Sequence, residues 1–222
     1  MVLILVLAMD QFVFNNNKNT IMIENTLSQT QGAIPKGYKV NSPYDTFPVL
    51  QIVTDVAEAA DDYVLASTTL VSGTETIVSG ASLTSPDNYR ALRVKGNQAS
   101  VYGSVYVEGK DRGGRVVTDT IIASGVTSID GLVPMSEVLK VTLPAYAATG
   151  DEISVGISEK LGFSRAIENV ADLVLTEKKA SAVSSFNVIA NGTVDAAYNT
   201  VIPSGGITVN DSFKFGYGTK LF

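Results

Sequence analysis

The chain of 222 residues contains no histidine, no cysteine and no tryptophan. Without histidine there is no side chain that changes charge near neutral pH, and the usual serine triad cannot be built. Without cysteine there is no thiolate nucleophile, no thiolate zinc site and no disulfide framework. Charged residues make up only 17% of the chain, and the 16 Lys and Arg against 22 Asp and Glu leave a formal net charge of −6. Apart from Lys178-Lys179 the basic residues are scattered singly, so the clustered cations that track a phosphate backbone are missing and no nucleic-acid partner is expected. Carboxylates, Lys, Tyr and Ser/Thr remain, and two carboxylates suffice for a glycosidase. The expectation is nevertheless a non-enzyme that needs no cofactor or metal.

The 45% hydrophobic content is that of a globular protein and argues against disorder. Many Thr, Ser, Val and Gly in short patterned runs point to β structure with frequent turns. The run Met1-Val2-Leu3-Ile4-Leu5-Val6-Leu7-Ala8-Met9 is apolar. It has no basic residue ahead of it as a signal peptide would, and nine residues are about half a membrane span. It is read either as a strand or arm covered by another surface or as an upstream start ahead of a functional N-terminus at Met9 or Met22, with no membrane partner. Residues 10–48 show little periodicity. The cluster Asn15-Asn16-Asn17-Lys18-Asn19 forms turns, and Pro35, Gly37, Pro43 and Pro48 punctuate the rest. Residues 1–48 are therefore expected as an extended N-terminal arm, with short strands near 20–23 and 38–40, ordered only in an assembly.

From Val49 short strands recur, over residues 49–54, 63–71, 74–78, 91–95, 101–108, 116–123, 138–143 and 152–157. Alternation places Leu139, Val141, Leu143, Ile153, Val155 and Ile157 on an inner face. The stretch Gly109-Lys110-Asp111-Arg112-Gly113-Gly114 reads as a hairpin turn and not as a phosphate loop, because a β pattern follows it. The acidic stretch 55–62 reads as a turn or one helical turn, and 165–172 as a candidate short helix. Asn191-Gly192 predicts a type I′ turn between strands 186–190 and 193–202. Phe213, Phe215 and Tyr217 alternate with Ser212, Lys214 and Gly216 as a last strand should. The fold class is all-β: an antiparallel β-sandwich over 49–163 and C-terminal β strands over 164–222, in the same domain or a small second one.

Three residue groups suggest chemistry, each with a plainer reading. Asp55, Glu58, Asp61 and Asp62 could ligate calcium, but lack the EF-hand spacing and read as a solvated turn. Asp119, Asp130, Asp151 and Glu152 could pair as an acid and a base, but read as polar loop residues. Tyr102, Tyr106, Tyr146, Tyr198 and Tyr217 could form a sugar platform, but tyrosine also serves strands and interfaces.

Residues 92–162 carry a recognisable layout. It runs through Leu92-Arg93-Val94-Lys95-Gly96-Asn97, Gly103-Ser104-Val105-Tyr106-Val107-Glu108-Gly109 and Thr118-Asp119-Thr120-Ile121. It continues through Val141-Thr142-Leu143-Pro144-Ala145 and Gly150-Asp151-Glu152-Ile153-Ser154-Val155-Gly156, and ends in Glu159-Lys160-Leu161-Gly162-Phe163. This layout resembles virion structural proteins of tailed bacteriophages, the β-sandwich head decoration, cement or auxiliary capsid proteins. The match covers about a third of the chain clearly and consists of turns and strand edges, so it specifies a fold more than a task. It implies no catalytic residues. It implies a partner in the major capsid protein, self-association as a homo-oligomer on the capsid, and a place on the outer surface of the phage head after synthesis in the host cytoplasm. The expected interface anchors are Phe12, Phe14, Tyr38, Tyr44 and Phe47. Two other classes compete: a tail, head–tail joining or fibre-base subunit, and a carbohydrate-binding or adhesin module.

Overall fold

Apolar residues at every second position, between clusters of turn formers, produce short strands rather than helices. The computed structural model describes residues 13–16, 19–22, 46–145 and 148–220, and the strands it pairs are all antiparallel. The protein is all-β. Among the described residues helix is limited to two 3-10 turns, Gly80–Ser82 and Val170–Asp172.

The chain divides into two units, Met1–Asn41 and Ser42–Phe222. In the first, β1 (Val13–Asn16) and β2 (Asn19–Met22) pair antiparallel from Val13↔Met22 to Asn16↔Asn19. The strand expected near 38–40 lies outside the described residues.

The second unit opens with β3 (Thr46–Val56), β4 (Ala60–Thr69), β5 (Thr76–Ser79), β6 (Arg90–Gly96), β7 (Tyr102–Lys110) and β8 (Val116–Ser124). It continues with β9 (Ile129–Met135), β10 (Glu137–Leu143), β11 (Glu152–Gly162), β12 (Leu173–Lys179) and β13 (Asn187–Ile189). It ends with β14 (Thr193–Asp195), β15 (Thr200–Ile202) and β16 (Asp211–Lys220). One sheet has the order β5-β10-β7-β8, a second β14-β15-β11-β6-β9 with β4 also on β11, and a third β13-β12-β16-β3.

The first two sheets enclose one core in a sandwich-like arrangement. Leu92, Val94, Ile153, Val155 and Ile157 come from one sheet and Val105, Val107, Ile121, Val141 and Leu143 from the other. Each such side chain contributes roughly 1.5–3 kcal/mol when fully buried. The inner residues expected from alternation on β11 are all buried, but Leu139 on β10 is only half-buried and Val138 takes its place. A register shift between Val138 and Lys140 against β7 is the cause: Val138 faces Gly109 and Lys140 faces Glu108, so Leu139 is the extra residue. Such a bulge reverses the inside–outside phase along a strand. At one side of the sandwich Asp119 Oδ2 accepts the N–H groups of Leu132 (2.8 Å) and Val133 (3.0 Å). A β8 carboxylate thereby links β8 to β9, which belong to different sheets.

A second core lies under the third sheet, with Val53, Val56, Leu161, Phe163, Phe213, Phe215 and Tyr217 among its members. Phe163 meets Phe215 edge-on at 5.8 Å and Tyr217 at 4.9 Å. The buried amide of Gln51 is engaged on both its nitrogen and its oxygen. Gln51 Nε2 donates to Gly162 O (2.9 Å), and Gln51 Oε1 accepts from Ser164 N (2.7 Å) and the Tyr217 hydroxyl (3.2 Å). Strand β3 pairs with β16 from Thr46↔Lys220 to Val56↔Asp211, so a strand at the start of segment 49–163 lies in a sheet with strands of segment 164–222.

Strand β11 serves both cores, Ile157 in the first and Leu161 in the second. Its pairing with β6 shifts register between these two residues. The fully buried Arg90 occupies this junction. Its guanidinium donates through Nε to Ser158 O (2.8 Å) and through Nη1 to Ala57 O (2.9 Å) and Asp87 Oδ1 (3.1 Å); Nη2 also donates to Ser158 O. Gly156 permits β4 to cross close by, since a Cβ there would lie 1.7 Å from Ala60 O.

Three local expectations are corrected. The stretch 55–62 holds no helical turn: Asp55 takes a positive φ of 52°, β3 ends at Val56 and β4 begins at Ala60. Asn191-Gly192 does not close a hairpin, because β13 pairs with β12 while β14 pairs with β15. The Asn191 amide instead accepts from Thr176 Oγ1 (3.0 Å) and donates to Leu173 O (2.8 Å). Gly192, at φ 76°, lies where a Cβ would be 2.0 Å from Ile202 O. The positive φ and the missing side chain serve a crossing between sheets. The reversal moves to residues 196–199, where Asp195 Oδ1 accepts from Ala197 N (3.1 Å) and Tyr198 N (3.2 Å). The candidate helix at 165–172 is likewise a loop closed by the Val170–Asp172 turn.

Candidate interaction surface

Residues proposed for chemistry are engaged in holding the fold. The turn at Gly109–Gly114 joins β7 to β8 as expected, with Asp111 as its organiser. Asp111 Oδ1 accepts from Gly113 N (2.8 Å) and Arg115 N (3.0 Å), and Oδ2 accepts from Arg115 Nε (2.9 Å). Asp61 lines an open groove of about 520 Å³ together with Asp62, Lys95 and Asn97. Lys95 Nζ (2.8 Å) and Ser128 Oγ (2.8 Å) donate to it, and Arg93 stands 3.8 Å away. No cluster of three or more metal-ligating side chains occurs among the described residues. Asp130 pairs with Arg93 at 3.0 Å, and Asp151 Oδ1 accepts from Gln98 (2.7 Å) and Ser100 (2.7 Å). Glu152 Oε2 accepts from Ser67 Oγ (2.7 Å).

Burial acts on three carboxyls of the fold in the same way. At Asp61, Asp111 and Asp211 desolvation pushes toward a raised pKa. The donors outweigh it and hold all three below the usual carboxylate range. For Asp211 the donors are Lys178 Nζ at 2.7 Å and Thr208 through N (2.7 Å) and Oγ1 (2.8 Å).

Of the expected anchors, Phe12, Tyr38 and Tyr44 lie outside the described residues. Phe14 stands opposite Ile21 in the β1–β2 pair and Phe47 opposite Thr219 at the edge strand β3; their side chains are outside those described. Of the five tyrosines, Tyr217 is buried in the second core, and Tyr146 lies outside the described residues. Tyr198 is exposed beside the β14–β15 turn.

Tyr102 and Tyr106 come together, 60% and 49% exposed, on the outer face of the β5-β10-β7-β8 sheet. Their even positions on β7 oppose the inward Val105 and Val107. The register builds a surface around them. Ile77, Thr142, Tyr106 and Thr120 stand directly opposite one another across all four strands. Ser104 faces Ile122 and Tyr102 faces Ser124. Ile77 and Ile122 are 66% and 64% exposed. Toward the other end of the face the charges are paired, Lys140 with Glu108 at 3.1 Å and Lys110 with Glu137 at 2.8 Å. Sequence reasoning singled out the tyrosines but neither isoleucine. The signal for Ile122 was ambiguous, because Ile121 and Ile122 are adjacent and alternation allows either to face inward.

Comparison with protein-family models, with curated proteins and with solved structures finds no match for this chain.

Proposed function

We propose that this protein is a structural component of a phage virion, a decoration or cement protein that binds the major capsid lattice on the outside of the head and acts without chemistry. The observation that carries the reading is the combination at the β5-β10-β7-β8 sheet: a broad outer face, apolar and hydroxylic, with its lysines and glutamates paired. Such a face suits contact with another protein surface. The framework resemblance of residues 92–162 and the net charge of −6 agree with it, since an acidic protein is repelled by packaged DNA on the inner side of a shell. A subunit that bridges capsid proteins binds the assembled lattice and not the separated parts, and so favours assembly by linkage.

The test is a density map of the particle, with survival of heads on heating or at low salt with and without the protein. Decoration density on the head and weaker heads in its absence are expected. Density at the tail alone, or equally robust heads, overturns the assignment and favours a tail or joining subunit. One observation supports a carbohydrate-binding reading instead. Two exposed tyrosines four residues apart on one strand stand about 14 Å apart, a spacing along which sugar rings can stack. Titration with host cell-wall glycans, read by calorimetry, separates the two, because a cement protein gives no saturable heat.

A further inference from the structure

No further inference is drawn: the strongest candidate, the outer face of the β13-β12-β16-β3 sheet, where Leu50 and Ile52 on the edge strand β3 and Val188 on β13 stand exposed, carries none because nothing in the structure shows what covers it.

Discussion

At the residue scale, buried polar side chains decide much of this structure. Asp211 is fully buried beside Lys178 and bonded to Thr208, an arrangement that costs desolvation and is retained only because the partners are close. The shifts set a direction for acid behaviour. Asp61, Asp111 and Asp211 have folded-state pKa values lowered below the unfolded value of about 3.9. Their contribution is therefore fully present above that value and is lost as pH falls through the lower folded values. Urea midpoints should be flat from about pH 7 to about pH 5 and should fall below about pH 4. Asp211→Asn should lower the midpoint at neutral pH and flatten the acid limb; an acid limb unchanged in that variant would count against the assignment. Little of this was legible in the sequence. Asp111 stood in a turn whose Gly-rich composition announced it, whereas Arg90, Gln51 and Asp211 carry no local mark of burial, because each has a partner in a distant element, Ser158, Gly162 and Lys178 respectively.

At the element scale, β11 joins the two cores and Arg90 fixes the point where it passes between them. Three carbonyl or carboxylate acceptors, on Ser158, Ala57 and Asp87, converge on one guanidinium. Arg90→Ala leaves them unpaired in a buried site and should cost about 3–5 kcal/mol, measured by urea unfolding. Arg90→Lys should recover only part of the loss, because an ammonium cannot reproduce the planar fork. A change below about 1 kcal/mol for Arg90→Ala would show that water replaces the guanidinium readily. Element existence was legible from alternation, down to the β7–β8 hairpin and the terminal strand. Element partners were not: Asn191-Gly192 has the composition of a tight hairpin turn, yet the strands on either side pair elsewhere.

At the scale of the Ser42–Phe222 unit, the pairing of β3 with β16 and the sharing of β11 tie both cores into one structure. Unfolding is expected to be a single cooperative transition. The second core holds Phe163, Phe213, Phe215 and Tyr217, whereas the buried members of the first include no aromatic residue. Near-UV circular dichroism therefore weights the second core, and far-UV weights all strands. Coincident urea midpoints in the two signals are expected; separation of the midpoints would mean that the cores unfold independently.

Composition and alternation by themselves determined that this chain is all-β, that it lacks histidine and thiol chemistry, and where most strands and the Gly109–Gly114 turn lie. These properties depend on residues within a few positions of one another, so a linear reading reaches them. Only the tertiary structure decided that Val138 and not Leu139 faces the core, that Ile122 is outward while Ile121 is inward, and that β3 closes against β16. The first two depend on register against β7, and the third on pairing with a strand at the other end of the unit. A single bulge reverses which face is buried, and no local pattern records it.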